Sequence, residues 1–456
     1  MSTPPAPQAA PRIQAFRGAL LHFLGDPDEL GTSAHEYFDD GLLVLHDGKV
    51  AAAGAAHALL PGLPEGVELA DYSGKLIMPG FVDTHVHYPQ TDIIAAYGEQ
   101  LLEWLERYTF PIERRFADPE YAREVADFFL AELLRNGTTT ALVFATVHPQ
   151  SADAFFTAAQ ARGLRMIAGK VLMDRNCPEF LCDTADSAYA DSKALIEKWH
   201  GKERLLYAVT PRFAPTSTER QLELAGRLLD EHPGVYLQSH AAENKSEVAW
   251  VAELYPWSRS YIDVYDHFGL LRPRAVYAHC IHLDTADRER MGETGAAMSF
   301  CPTSNLFLGS GLFDADAAKR HNVHVGIGTD VGGGTSLSML RTLDEAYKVA
   351  QLGGQRLSPL RAFYLATLGS ARSLYLDNRI GNFVAGKEGD FIVLDLAATP
   401  LMARRMASTA DLVERLFVLM MLGDDRAVFA THIMGRRESA SSPALGRSPA
   451  IGIVRR

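Results

Sequence analysis

The sequence predicts an α/β protein in which a (β/α)8 TIM-like barrel is joined to a small β-sandwich domain built from both chain ends. The chain has 456 residues, 47% of them apolar, which is enough for one large domain and a smaller one. From about residue 76 to residue 373, short apolar or β-branched segments alternate with longer amphipathic ones, which is the rhythm of repeated βα units. Strand-length apolar runs separated by turn signals flank that region and predict the second domain.

Eight short segments are predicted to be the parallel strands of the barrel. Each is apolar or β-branched and is followed by a longer segment with helical periodicity. The predicted strands are 77–82, 138–145, 165–171, 205–210, 235–239, 275–278, 297–300 and 323–328. In such a barrel the functional residues are expected at the C-terminal ends of the strands.

The β domain is predicted to take strands from before and after the barrel. An Asp47-Gly48 turn separates two of the early strands, and a Gly-Lys-Glu-Gly-Asp turn at 386–390 precedes the late ones. The predicted strands are 15–24, 37–45, 50–53, 391–395 and 428–434. The predicted divisions are 1–76 for the first part of the β domain, 77–375 for the barrel, and 376–456 for the rest of the β domain with a tail, frayed from residue 439.

Composition excludes several classes of partner. The formal net charge of −12 opposes binding to a phosphate backbone, so we expect no nucleic-acid partner. No run of about 18 apolar residues occurs, and the first eleven residues lack a basic stretch followed by an apolar core. The four cysteines form no CxxC pair and are expected to be reduced thiols. We therefore expect no membrane association and a cytoplasmic location.

The first motif is an HxH pair at the end of the first predicted barrel strand, formed by His85 and His87. Residues two apart in a strand point to the same side, so both imidazoles can face one metal ion. HxH alone is weak evidence because it often arises by chance. Its position at a strand end makes the interpretation as a ligand pair stronger.

The second motif ends the fifth strand with His240, followed three residues later by Glu243. The histidine can supply a third nitrogen ligand, and the carboxylate can lean over the same metal from the first turn of the next segment. The alternative is structural, with Glu243 capping a helix and His240 packed in the core.

Two further strands end abruptly in an ionisable residue, the sixth in His279 and the eighth in Asp330. Burial of such groups is costly unless they are ligated or hydrogen-bonded. Histidines and an aspartate around Zn²⁺ leave a position for water, whose pKa the metal lowers toward neutrality, so hydrolysis is the natural reaction. Cys280 and Cys301 also lie near strand ends, but we expect them to be buried filler residues rather than ligands.

These residues, in this order, resemble the amidohydrolase superfamily, and within it the guanine deaminases most closely. The resemblance covers nearly the whole chain. The segments that carry it are Pro79-Gly80-Phe81-Val82-Asp83, Leu101-Leu102-Glu103-Trp104-Leu105-Glu106-Arg107-Tyr108-Thr109-Phe110-Pro111, Asn136-Gly137-Thr138-Thr139-Thr140, Thr210-Pro211-Arg212-Phe213, Gly328-Thr329-Asp330-Val331-Gly332-Gly333 and Gly386-Lys387-Glu388-Gly389-Asp390-Phe391.

The resemblance implies one zinc ion per chain, or iron in its place, and a catalytic set completed by Glu243 and His279. It further implies hydrolytic deamination of guanine to xanthine and ammonia in purine catabolism, by a homodimer. The implied metal ligands are His85, His87, His240 and Asp330. The implied substrate-binding residues are His87, Gln90, Trp104, Arg212, Phe213, His240, Glu243 and Asp330.

The residue types fit these implied roles. Arg212 and Gln90 can hydrogen-bond along the edge of a heteroaromatic base, and Phe213 or Trp104 can stack on its face. The structural alternatives are a strand-end salt bridge for Arg212 and core packing for Trp104.

The implied mechanism uses Glu243 as a proton carrier. Glu243 deprotonates the metal-activated water and passes the proton to a ring nitrogen. Meanwhile, His279 and Asp330 orient the nucleophile and stabilise the tetrahedral carbon, and Asp330 helps protonate the departing amine.

Three alternatives stay open. Lys170 is the one candidate for a carboxylated lysine that bridges a second metal. The same barrel can act on a related aminopurine, an oxidised guanine, a triazine or a cyclic amide, and a substrate without a purine edge would not require Gln90 and Arg212. A non-catalytic scaffold is also conceivable, although every implied ligand, Glu243 and His279 are present.

Overall fold

The computed structural model describes residues 12–98 and 100–438, which fall into two sheets. Eight parallel strands follow one another in chain order around a barrel, and a second, mixed sheet of seven strands is built from both chain ends. The predicted α/β fold class is therefore confirmed. The boundaries at residues 76 and 375 stay a prediction, and the tail from residue 439 lies outside the described residues.

The strands have the following bounds in chain order. The end sheet begins with β1 (Ile13–Phe23), β2 (His35–His46), β3 (Lys49–Ala55) and β4 (Glu68–Pro79). The barrel follows with β5 (Phe81–His87), β6 (Thr138–Phe144), β7 (Arg165–Gly169), a short β8 (Val171–Leu172) paired with β9, then β9 (Leu206–Pro211), β10 (Tyr236–Ala241), β11 (Ala275–His279), β12 (Ala297–Phe300) and β13 (His324–Ile327). The end sheet finishes with β14 (Phe391–Leu394), β15 (Val428–Ile433) and β16 (Arg436–Arg437).

Helices connect the barrel strands and cover the barrel. The α-helices are Pro27–Leu30, Ala56–Leu59, Leu101–Trp104, Phe110–Glu113, Pro119–Arg135, Pro149–Arg162, Ala185–Trp199, Glu219–Glu231, Lys245–Leu254, Tyr261–His267, Thr285–Thr294, Pro302–Phe307, Ala315–Arg320, Met339–Leu352, Pro359–Tyr364, Ser370–Ser373, Pro400–Met406 and Leu412–Leu422. Single π turns occupy Leu105–Thr109 and Leu365–Gly369. No described helix is long and apolar enough to span a membrane.

Seven of the eight predicted barrel strands lie within two residues of observed strands, but the first one, 77–82, is wrong. Residues 77–79 belong to β4 of the end sheet, and the barrel begins at Phe81. The chain passes from one sheet to the other at Gly80, where a Cβ would lie 2.0 Å from the Thr139 hydroxyl oxygen and only glycine fits. The residues on both sides are apolar and buried, and the Pro79-Gly80 dipeptide is the sequence signal for the break.

The barrel is closed at its C-terminal end by two backbone hydrogen bonds between the first strand and the segment after the last. The Asp330 amide donates to the His85 carbonyl at 2.9 Å, and the His87 amide donates to the Val331 carbonyl at 2.9 Å. The closing seam therefore joins His85 directly to Asp330 through the main chain and ties His87 to the residue after Asp330.

The opposite end of the barrel is filled by the chain segment that follows the helix Ser370–Ser373. Leu374, Leu376 and Ile380 pack with inward-facing strand residues, and the Tyr236 hydroxyl donates to the Leu374 carbonyl at 2.7 Å. Side chains fill the interior as in other barrels of this size. Access to the barrel is therefore from the C-terminal strand ends.

The end-built domain is confirmed, but within the described residues its strands form one mixed sheet rather than the two sheets of a sandwich. β1 and β4 pair in parallel, and the other neighbours pair antiparallel. Asp47 and Gly48, with φ of 50° and 77°, form the predicted turn, because a tight hairpin turn of this hand needs positive φ at both positions.

A buried ion-pair network fastens the end sheet to the barrel. Arg165 donates from Nε to Glu388 at 2.6 Å, and Arg204 donates from Nη2 to the same carboxylate at 2.7 Å and to Asp390. The Arg165 side chain is 3% exposed and that of Glu388 is 10% exposed. The predicted turn at 386–390 thus carries the carboxylates that link the domains.

We predict that Glu388→Gln lowers the free energy of unfolding by about 3 kcal/mol, because it leaves a buried guanidinium without its counter-charge. For a chain of this size that corresponds to about 3 °C in Tm at a fixed scan rate. Glu223→Gln, which removes an exposed partner of Arg220, is the matched control and should change stability by less than about 0.5 kcal/mol. An equal effect of the two substitutions would contradict the structural role of the network.

Candidate active site

A pocket opens at the C-terminal ends of the barrel strands. It brings together most of the residues predicted from sequence. Its lining is His87, Gln90, Leu101, Trp104, Leu105, Arg212, Phe213, His240, Glu243, His279, Leu308, Asp330 and Gly333. Within that set, every predicted substrate-binding and catalytic residue is present.

Four predicted metal ligands converge on one point beside this pocket. The Nε2 atom of His87 lies 3.2 Å from Nε2 of His85 and 3.1 Å from Nε2 of His240. Asp330 Oδ1 lies 3.1 Å from Nε2 of His85 and 3.4 Å from Nε2 of His87. Ligands about 2.0–2.1 Å from a tetrahedral cation would be about 3.3 Å apart, so this spacing fits a metal ion.

The protonation states of the three histidines also fit a metal. Nδ1 of His240 must donate to the Arg212 carbonyl, 2.6 Å away, which leaves the lone pair of Nε2 facing the cluster. Burial lowers the pKa of His85, His87 and His240, so that all three rings are neutral at pH 7. Neutral nitrogens that face one another at 3.1–3.2 Å cannot all be satisfied by shared protons. A cation satisfies them.

Asp83 holds the first and last strands in register next to this cluster. Its Oδ1 accepts from the amides of His85 and Thr329, both at 3.1 Å, and its Oδ2 accepts from the Thr329 hydroxyl at 2.5 Å. Burial raises the pKa of Asp83 to about 7. Because Thr329 precedes Asp330, this carboxyl group helps aim two of the four converging side chains.

Glu243 points into the pocket and does not cap a helix. The following helix, Lys245–Leu254, is capped by Asn244 and Glu247, so the structural alternative for Glu243 is wrong. The Glu247 carboxylate accepts from the Glu243 amide at 2.8 Å and from the Tyr261 hydroxyl at 2.6 Å. The main chain at Glu243 is therefore held while its carboxyl group stays available.

Burial raises the pKa of the Glu243 carboxyl group to about 7, which suits a group that must accept and release a proton near neutrality. Ser310 donates to its Oε1 at 3.2 Å, and its Oε2 lies 3.3 Å from Nε2 of His279. The three polar groups thus form one chain beside the pocket.

His279 is oriented by Asn305, whose Oδ1 lies 2.9 Å from its Nδ1. Although burial disfavours the imidazolium, the carboxylates of Glu243 and Asp330 raise the pKa of His279. His279 and Asp330 have φ of 70° and 48°, left-handed values that are uncommon outside glycine. Such strained positions concentrate at functional sites.

Arg212 and Gln90 form one polar wall of the pocket, and both are tied to Glu113. Nη1 of Arg212 donates to the two oxygens of Glu113 at 3.0 and 2.8 Å, and Nε2 of Gln90 donates to Oε1 at 3.3 Å. Arg212 thus forms an ion pair with Glu113 at a strand end and also lines the pocket.

The apolar walls come from Trp104 and Phe213, which are 3% and 4% exposed. Both belong to a cluster that includes Leu101, Leu105 and Leu308, so core packing and pocket lining coexist. Nε1 of Trp104 is buried without a hydrogen-bond partner. These faces are suited to a flat aromatic ligand.

The structure also shows where Lys170 and Cys301 lie relative to the four predicted metal ligands. Nζ of Lys170 donates to Asp183 and, at 3.3 Å, to the Val171 carbonyl instead of facing the four-residue cluster. Cys301 lies near His279 and Asp330, but burial raises the pKa of its thiol well above the usual value, which disfavours the thiolate a metal needs. All four cysteines are free, as predicted.

The sequence matches a known protein family along most of its length. The sequence profile described as "Amidohydrolase family" matches residues 76–436. The chain belongs to the amidohydrolase family. It is 54% identical over 427 residues to a protein of Escherichia coli (strain K12) named "Guanine deaminase", covering 93% of this chain and 97% of that protein. The family is metal-dependent, in agreement with the converging ligands.

Solved structures give the same picture for this amidohydrolase. The structure "E. coli Guanine Deaminase" superposes with a TM-score of 0.91 at 54% identity, covering 93% of this chain and 99% of that one. A guanine deaminase from C. acetobutylicum "with bound guanine in the active site" superposes with a TM-score of 0.84 at 29% identity, covering 93% of this chain and 100% of that one.

Sequence reasoning missed the residues that hold the predicted ones in place. They are Asp83, Glu113, Glu247, Asn305 and Ser310. The Asn244-x-x-Glu247 spacing is a capping-box signal and would have separated Glu247 from Glu243. Glu113, Asn305 and Ser310 carry no such local signal, because their partners lie far away in sequence.

We predict that chelation of divalent cations lowers Tm by about 4 °C, because a site filled at a thousand times Kd contributes about 4 kcal/mol. Thermal scans with and without chelator at fixed rate measure the difference. Asp330→Asn is the matched variant and should show a much smaller response to chelator. A wild-type Tm that does not respond would contradict a metal at this cluster.

Proposed function

We propose that this amidohydrolase is a guanine deaminase, which hydrolyses guanine to xanthine and ammonia. The observation that carries the proposal is the position of Glu243, whose carboxyl group lies in the same buried pocket as the ligand cluster and the Arg212–Gln90 wall. Two findings support this substrate: the 54% sequence identity to the E. coli protein named "Guanine deaminase", and the guanine bound in the C. acetobutylicum protein.

We assign His85, His87, His240 and Asp330 as ligands of one zinc ion, with iron as the alternative that the same donor set accepts. When bound, such a cation makes a water molecule acidic enough to act as nucleophile near neutral pH. The separation of Lys170 from the cluster supports one metal rather than two.

The protein's own groups then move the protons. Glu243 accepts a proton from the attacking water and delivers it to a ring nitrogen next to the carbon that bears the amino group. His279, kept in place by Asn305, orients the nucleophile with Asp330 and stabilises negative charge at the tetrahedral carbon. The second proton goes to the departing amine, with the help of Asp330, and ammonia leaves.

The base is bound by its face and its edge. Phe213 and Trp104 cover the ring, and the N–H groups of Arg212 and Gln90 meet its polar edge. Leu101, Leu105 and Leu308 line the pocket beside these rings, so its apolar walls suit a flat, uncharged heteroaromatic base.

A related aminopurine, an oxidised guanine or a triazine is the alternative substrate class, and turnover of one of these without turnover of guanine would favour it. A cytoplasmic location and a homodimer stay predictions based on composition and on the family resemblance.

We predict that the purified protein converts guanine to xanthine and that Glu243→Gln slows kcat by about 10²–10⁴-fold, because it removes the proton carrier. The loss of guanine absorbance in the ultraviolet measures the rate. Glu253→Gln, an exposed position on the adjacent helix, is the matched control and should keep the wild-type rate. A Glu243→Gln variant that turns over guanine at the wild-type rate would exclude this mechanism.

A further inference from the structure

Glu113 is a completely buried carboxylate that the proposed reaction does not use. It is 0% exposed and ends the short helix Phe110–Glu113. It is absent from the residues that line the pocket. Within residues 12–98 and 100–438, its side-chain hydrogen bonds are made with two residues that do line it, Arg212 and Gln90. Glu113 therefore lies behind the polar wall and can influence substrate recognition through these two residues.

Glu113 and Gly332 together fix the orientation of the Gln90 side-chain amide. The Gly332 amide donates to Oε1 of Gln90 at 3.0 Å, and Nε2 of Gln90 donates to Glu113 at 3.3 Å. A flipped amide would set its oxygen against the carboxylate and its NH₂ against the Gly332 N–H. The contacts therefore allow one orientation, with an N–H as the group available on the Glu113 side.

The same carboxylate fixes the guanidinium of Arg212. Nη1 is committed to both oxygens of Glu113, and the ring of Phe110 lies 5.6 Å from the guanidinium carbon. Arginine is a donor only and keeps its charge, so its remaining N–H groups can only donate. The N–H groups of this wall that are not bonded to Glu113 are thus its free donors, whereas the Gln90 oxygen already accepts from the Gly332 amide.

We propose that Glu113 is a positioning residue that sets this donor polarity and so makes the site select a 6-oxo over a 6-amino purine. The proposal rests on the proposed guanine deaminase function. Guanine offers its 6-carbonyl oxygen to the donors. 2,6-Diaminopurine carries the same reactive 2-amino group but would set an N–H against them, and a site built to hydrogen-bond one group discriminates strongly against such an analogue.

Glu113 does more than balance the charge of Arg212, because it also accepts a hydrogen bond from Gln90. Arg212 follows strand β9 and Gln90 follows strand β5, so their side chains approach the pocket from different strands. A single carboxylate sets the distance between them. Without that carboxylate, the Gln90 amide can rotate, and the Arg212 guanidinium loses the two hydrogen bonds that hold it in place.

The test is the Glu113→Gln variant, assayed for kcat and KM with guanine and with 2,6-diaminopurine. We expect kcat/KM for guanine to fall by at least about 10-fold, the equivalent of one hydrogen bond. The value for 2,6-diaminopurine should stay level or rise, so that the preference for guanine shrinks by at least about 10-fold. Metal content should stay at the wild-type value, because Glu113 does not touch the ligand cluster.

Two variants separate recognition from stability. Glu388→Gln breaks a similarly buried carboxylate–arginine pair at the domain junction and should lower Tm without changing the preference. If Glu113→Gln does not fold, Glu113→Asp decides, because its shorter side chain cannot reach Arg212 and Gln90 together and should also weaken the preference.

A folded Glu113 variant that keeps the wild-type preference would overturn the proposal. A wild-type protein that fails to deaminate guanine would instead overturn the proposed function and the proposal with it. The first measurement on wild-type protein therefore distinguishes the two failures.

Discussion

The convergence of three imidazole nitrogens and one carboxylate oxygen is the interaction on which the rest of the site depends. His85, His87, His240 and Asp330 bring these atoms to within 3.1–3.4 Å of a neighbour in a place almost closed to water. Without a cation, neutral lone pairs would face one another and a buried carboxylate would lack a full counter-charge. The barrel supports this arrangement because its parallel strands all end at the same face.

Buried carboxyl groups behind the site share a pattern. Asp83, Glu113 and Glu247 each accept at least two hydrogen bonds, and none lines the pocket. Each holds the main chain or side chain of a residue that does line it or that aims a ligand. A buried carboxylate is stable only when well hydrogen-bonded, so each one also restricts its donors to a single geometry. The working residues are positioned in this way before substrate arrives.

Sequence patterns predicted the barrel and the converging residues for clear physical reasons. Strand-length apolar runs are local, and an ionisable residue at the end of such a run, as at His240 or Asp330, stands out without knowledge of the fold. The strand at 77–82 was misplaced because the buried ends of β4 and β5 show no period-two alternation, which leaves the Pro79-Gly80 dipeptide as the signal for the break between them. Strand β4 of the end sheet was missed for the opposite reason, since its outer half is mostly polar and exposed and carries no apolar run.

The positioning residues were out of reach for a different reason. Glu113 contacts Arg212, which lies 99 residues later, and Ser310 contacts Glu243, which lies 67 residues earlier. No local periodicity or spacing links such pairs, and a buried glutamate after Pro111 has the same sequence signature as an exposed one. Only tertiary structure gives these residues a role.

The most direct test of the account is a crystal structure with xanthine bound, with anomalous diffraction collected at the zinc and iron absorption edges. We expect one peak, equidistant within error from Nε2 of His85, His87 and His240 and bonded to Asp330. We also expect the 6-carbonyl of the base to face Arg212 and its C2 to face Glu243. Two metal peaks, a peak away from this cluster, or a base in the reversed orientation would contradict it.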